Sequence, residues 1–175
     1  VGVVPPKPRA YLTSSSCGVC SSDVLASTPK PRAPLHSTDW LITPQVAHAL
    51  IGSMRVEQKM FDLTGSLHAA GLAGSDSQLL VVREDVGRHN AVDKVLGHAF
   101  LEGKFPLTDH ILVVSGRVSY DIVTKALSAS VAAIVAVSGP TTLAVDLARA
   151  RGLVLIGFTR DDRLNVSSGE GRGQL

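Results

Sequence analysis

The stretch Ile111–Thr142 reads ILVVSGRVSYDIVTKALSASVAAIVAVSGPTT. Two short branched-apolar runs, Ile111–Val114 and Ile134–Val137, flank a helical pattern over Ser119–Ser130, and runs of that composition suit strands buried on both faces. A strand, a helix and a strand joined by short connections imply a right-handed crossover between parallel neighbours. The alternation extends outward. Leu79–Val82 (LLVV) and Leu153–Phe158 (LVLIGF) look like two more central strands. Helical patterns fill the gaps: Thr141–Arg151, and His89–Gly103, where Val92, Val95, Leu96, Ala99 and Phe100 recur at i, i+3, i+4, i+7 and i+8. Upstream, Thr43 is placed to cap a helix with Pro44 at its first position, and Val46, Leu50, Met54 and Phe61 roughly follow one face. The expected fold class is α/β, a mostly parallel sheet covered by helices.

The 175 residues, 45% of them apolar, are enough for one globular domain with a sizeable core. Seventeen basic and 15 acidic side chains leave a formal charge of +2, spread along the chain with no basic block that would advertise nucleic acid. The longest apolar run, Val131–Val137, is too short to cross a bilayer, and VGVVPPKPRAYL lacks a secretory layout, so a cytoplasmic protein without a membrane partner is expected. Residue 1 is not methionine, and the first dozen residues read like the tail of something longer. Residues 1–34 read as an N-terminal tail with a cysteine loop and a proline-rich linker, Pro29–Pro34 (PKPRAP), and residues 35–175 as the α/β domain.

Each apolar run gives way to polar or charged residues: Arg83-Glu84-Asp85, Ser115-Gly116-Arg117, Ser138-Gly139-Pro140-Thr141, and Thr159-Arg160-Asp161-Asp162-Arg163. In open α/β sheets ligands bind outside the carboxyl ends of the strands, where helix N-termini offer backbone N–H groups to anions. Arg83, Arg88, Arg117, Arg160 and Arg163 supply forked donors matched to phosphate, and Asp85, Asp161 and Asp162 can accept from a base or sugar. Any one arginine at a loop tip is more often simply solvated; four such loops together point to a phosphorylated, dinucleotide-sized ligand. No GxGxxG or GxxxxGK loop is present, and His68, His89, His98 and His110 form no metal-binding spacing.

The only cysteines, Cys17 and Cys20, lie in TSSSCGVC, on a serine-rich loop. Three chemistries compete. Zinc wants about four ligands, and there is no second pair. A thioredoxin-like couple expects the motif at a strand-to-helix junction. Sulfur relay through a persulfide needs an exposed, flexible thiolate. Spacing alone does not choose among them.

The chain resembles the FdhD/NarQ family of formate dehydrogenase accessory sulfurtransferases through six blocks that cover most of its length: TSSSCGVC (Thr13–Cys20), TGSLHAAGL (Thr64–Leu72), REDVGRHNAVDKVLG (Arg83–Gly97), SGRVSYDIVTKA (Ser115–Ala126), PTTLAVDLA (Pro140–Ala148) and GLVLIGFTR (Gly152–Arg160). The resemblance implies a cytosolic homodimer with a cytidine-deaminase-like fold. It implies transfer of persulfide sulfur from a cysteine desulfurase to the molybdenum or tungsten bis-guanine-dinucleotide pterin cofactor of formate dehydrogenase. Cys17 would then carry the sulfur with Cys20 beside it, and Phe158, Thr159, Arg160, Asp161, Asp162 and Arg163 would bind the cofactor; the charged-rim reading adds Arg88, Arg117 and Asp85 to that site, and no metal is held by the protein itself. The family chain has a further N-terminal segment. This chain departs from the family at Ser21-Ser22-Asp23, where glycine and a basic residue are usual, and at Gly139, where alanine is usual. A cofactor-binding chaperone without chemistry and a zinc-dependent deaminase-like hydrolase are the alternatives; the latter expects HxE and PCxxC, which the chain lacks.

Overall fold

The computed structural model describes residues 42–161 and 163–169. The elements come in the order α1 Pro44–Val56, α2 Lys59–Thr64, β1 His68–Ala73, β2 Leu79–Asp85, α3 Arg88–Leu101, β3 Ile111–Val114, α4 Tyr120–Ser128, β4 Ala133–Ala136, α5 Thr142–Arg151, β5 Val154–Arg160 and β6 Arg163–Ser168. Thr43 caps α1 as its sequence suggests, its Oγ1 accepting from Val46 N at 3.3 Å with Pro44 behind it. That helix stops at Val56, so Phe61 belongs to α2 and not to the face of α1.

The six strands form one sheet in the order β2-β1-β3-β4-β5-β6. It is mixed rather than mostly parallel: β3/β4 and β4/β5 pair parallel, whereas β1/β2, β1/β3 and β5/β6 pair antiparallel. The two strands that change the picture have weak local signals. HAAGLA has alanine and glycine where branched residues would mark a strand, and RLNVSS is half polar. LLVV is likewise not central. It lies in the edge strand β2 and is only partly buried.

The central strands sort their side chains by the period of two. Leu72, Leu112, Val114, Ile134 and Leu155 face α3, α4 and α5; Ile111, Val113, Val135 and Ile156 face α1. Leu112, Ile134 and Leu155 are fully enclosed, each contributing about 1.5–3 kcal/mol of burial. On α3, Val92, Val95, Leu96 and Ala99 are buried as the helical spacing requires, but Phe100 is 58% exposed and meets Phe105 edge-on at 5.5 Å. Among the described residues, no helix is long and apolar enough to cross a membrane.

Candidate functional site

Because β1 runs antiparallel to both β2 and β3, β2 points the same way as β3, β4 and β5. All four carboxyl ends therefore reach one rim, as do the N-termini of α3, α4 and α5. The start of β1 joins them, with His68 paired to Asp85.

At the β2 end the charged residues belong to the strand itself. Arg83 turns its guanidinium to Val82 O at 2.9 Å, and the Glu84 carboxylate accepts from Met60 N and Phe61 N, both at 2.8 Å, holding the start of α2. Asp85 Oδ1 accepts from Gly87 N at 2.9 Å and Asn90 Nδ2 at 3.1 Å, while Lys94 Nζ lies 2.6 Å from Oδ2. Its acceptors are thus largely engaged in shaping the VGRHN turn. Lys94 first, then the Gly87 and Asn90 donors, hold the Asp85 pKa down at about 2 from 3.8. A depressed carboxylate pKa gives stability that is complete above pH 3.8 and is lost as pH falls through about 2. In Asp85→Asn, the shift in denaturation midpoint across that window should be smaller than in the unaltered protein; an identical shift would show that the carboxylate is not linked to folding.

Arg88 opens α3, and its Nε is buried without a partner among the described residues. Its stem packs on Gly116, where an added Cβ would lie 3.5 Å from Arg88 Cβ and Cδ. The next residue, His89, places Nε2 3.0 Å from Ser119 Oγ and 3.8 Å from Asp121 Oδ2. Burial, aided by Arg88 and opposed by Asp121, lowers the His89 pKa from 6.5 and favours the neutral ring.

The middle of the rim is two loops tied together. Val118 N donates to Gly139 O at 3.3 Å and Thr141 N to Val118 O at 2.9 Å, and Thr141 Oγ1 caps α5 through Ala144 N. Arg117 stands exposed on this ledge. The β5 end completes it. A Cβ on Gly157 would come within 2.9 Å of Pro140 Cδ and 3.2 Å of Ser138 O, so only glycine lets the strand pass the loop. Phe158 then takes φ +55°, a left-handed conformation that costs a bulky residue about 1–3 kcal/mol. Its ring lies directly over Gly139, where a Cβ would collide with the ring.

Phe158 and Thr159 form a bulge, since pairing with β6 skips from Gly157↔Asn165 to Arg160↔Arg163. The bulge buries Thr159 completely and leaves its Oγ1 without a partner among the described residues. Phe158, Thr159 and Arg160 therefore close β5 and Arg163 opens β6, so these residues are not a loop beyond the last strand. Phe158, Arg160, Asp161, Arg163 and Asn165 line a cavity of about 510 Å³ there. Among the described residues Arg117, Arg160 and Arg163 form no ion pair.

The fold thus joins Arg88, Arg117, Phe158 and Thr159 into one arc through Gly116, Val118 and Gly139, with Arg160, Asp161 and Arg163 at its end. Cys17, Cys20 and Asp162 lie outside the described residues. Among the described residues, no three His, Cys, Asp or Glu side chains converge as a metal site. Sequence reasoning put Gly116 and Gly139 on the rim without a steric role and missed Gly157; their lack of a side chain matters only once loops from distant segments are pressed together.

The profile of the FdhD/NarQ family matches residues 5–174. A protein named sulfur carrier protein FdhD from Corynebacterium efficiens is 44% identical over 96% of this chain and 64% of its own. Its namesake from Saccharolobus solfataricus is 40% identical over 90% and 60%. A crystal structure of a protein from Desulfotalea psychrophila, described as a formate dehydrogenase accessory protein, superposes with a TM-score of 0.71 at 28% identity, covering 88% of this chain and 63% of that one. The chain spans about three-fifths of the length of these relatives. With the match running through every block that forms the rim, the chain belongs to the FdhD/NarQ family.

Proposed function

We propose that the protein is a cytoplasmic, homodimeric sulfur carrier of cytidine-deaminase-like fold. It receives persulfide sulfur from a cysteine desulfurase and delivers it to the molybdenum or tungsten bis-guanine-dinucleotide pterin cofactor before that cofactor enters formate dehydrogenase. The observation that carries this reading is the arginine arc: Arg88, Arg117, Arg160 and Arg163 on one rim, none of them in an ion pair among the described residues. A guanine-dinucleotide pterin cargo would bring the phosphates that such an arc suits. In the sulfur step, the Cys17 thiolate attacks the outer sulfur of the desulfurase persulfide. The S–S bond of the donor breaks and its cysteine leaves as thiolate, while Cys17 becomes the persulfide. In delivery, an electron-pair donor on the cargo attacks the outer sulfur, the S–S bond breaks, and Cys17 leaves as thiolate. Cys20 stands close enough in sequence to shield or resolve the intermediate.

Replacing Arg117 or Arg160 by alanine should weaken binding of a guanine nucleotide by about 1.5–3 kcal/mol, the range for hydrogen bonds to charged groups, with unchanged thermal unfolding. Titration calorimetry with GDP measures it. Normal GDP binding in both folded variants would remove the arc from the site. A chaperone that only shelters the cofactor would use the same arc and differs in one respect: formate dehydrogenase would still mature when both cysteines are replaced.

A further inference from the structure

Phe158 holds its conformation with little support. It takes φ +55°, a backbone region that a bulky residue keeps only where its surroundings impose it. Sheet pairing does not impose it: β4 pairs with β5 only as far as Ile156, and the bulge takes Phe158 and Thr159 out of the ladder with β6. A backbone bond of 3.3 Å, Phe158 N to Ser138 O, ties it to the loop after β4. The other support is the phenyl ring resting on Gly139, a contact that exists because that position lacks a side chain. With Phe158 still 42% exposed, the contact recovers only part of the burial that an aromatic ring can provide. Thr159 adds a second cost, since its enclosed Oγ1 has no partner among the described residues. A strained backbone and an unsatisfied hydroxyl on adjacent residues place this conformation close in energy to an alternative in which Phe158 has negative φ.

We propose that Phe158 is a shutter with two positions, and that the closed one, with the ring on Gly139, is the resting state of the chain. Gly139 is the joint of the arc: its O accepts from Val118 N, next to Arg117, and the Phe158 ring lies over it. On its other side Phe158 lines the cavity of about 510 Å³ with Arg160 and Arg163. A cargo held by Arg117 and Arg160 together has to pass over Gly139, where the closed ring stands. Opening returns Phe158 to negative φ and lifts the ring away, giving up the bond to Ser138 O. Binding then carries the free energy of opening, so the apparent affinity for cargo is reduced by the fraction of open chain. The shutter governs access to the arc and leaves recognition to the arginines. That cargo opens it rests on the proposed function; that the ring has two positions does not.

The test labels the full 175-residue chain with para-fluorophenylalanine at its four phenylalanines and follows the Phe158 line, assigned by its loss in Phe158→Leu, by fluorine NMR. Glycine labelling adds a second probe, because a ring over Gly139 shifts its Cα protons upfield. GDP is the ligand. In the unaltered protein the upfield Gly139 shift should be present without ligand and should collapse on saturation with GDP, while the Phe158 line moves. In Gly139→Ala a Cβ takes the ring's place, so the Phe158 line should sit at or near its GDP-bound position before any ligand is added. Titration calorimetry should then show GDP binding about tenfold tighter than in the unaltered protein, the gain expected when an open state of about 10% becomes dominant. If Gly139→Ala does not fold, the response of the Gly139 protons to GDP in the unaltered protein decides the matter. An upfield Gly139 shift that survives saturation with GDP would overturn the proposal, as would unchanged or weaker GDP binding in folded Gly139→Ala. No GDP binding in either protein, with the Phe158 line displaced in Gly139→Ala, removes the cargo reading and leaves the two positions of the ring standing.

Discussion

Cys17→Ala should take up no sulfur from a cysteine desulfurase supplied with cysteine, whereas Cys20→Ala should still gain one sulfur atom, located by peptide mass spectrometry on Cys17. Attack on a persulfide requires a thiolate, and a nearby carboxylate disfavours one. Asp23 lies three residues from Cys20 and six from Cys17, which leaves Cys17 the better nucleophile. Gly18, directly after Cys17, also permits a closer approach by a partner backbone and a bulky cargo than Ser21-Ser22-Asp23 does beside Cys20. The loss in Cys17→Ala should be complete and should abolish activation of formate dehydrogenase, since the carried atom has no other attachment point in this mechanism. A Cys17→Ala protein that is still loaded and still active, with loading lost in Cys20→Ala, would reverse the assignment.

The largest effect on stability is expected from Leu155→Ala. Leu155 sits in β5, pairs with Ile134 on β4, and is fully enclosed between the sheet and the α3–α5 layer. Truncation removes burial and leaves a cavity that neighbouring strands, fixed on both sides by ladder hydrogen bonds, cannot collapse, so the expected loss is about 2–5 kcal/mol. Against a usual total of about 5–15 kcal/mol, that is a large share. Leu143→Ala, at a residue 45% exposed on α5, should change stability by less than about 0.5 kcal/mol. Denaturant midpoints for the two variants measure the contrast, and comparable midpoints would mean that the β5 core is far more plastic than its packing indicates.

The family blocks and the strand-helix alternation made much of the site legible in the sequence. The loops after β3 and β4 fall where the apolar runs end, and the arginines in and beside them lie on the rim that a shared strand direction predicts. The aspartates show the limit. Asp85 and Asp161 read alike in sequence, as acids at a loop tip. In the fold, Lys94, Asn90 and Gly87 occupy the first, and the second stands exposed by the cavity at the hairpin.

Local signals in the chain were enough for the α/β class, the start of α1 at Thr43-Pro44, the cores of β3, β4 and β5, and the position of the charged loops at their ends. Each is written in local periodicity, capping chemistry or the contrast between apolar run and polar loop. The packed fold alone makes β1 insert antiparallel between β2 and β3, leaves β2 at an edge, folds Phe158 back over Gly139, and leaves Arg88 Nε and Thr159 Oγ1 buried without partners among the described residues. Those outcomes depend on pairing and close approach between segments remote in sequence, where the energy belongs to the contact and neither segment alone records it.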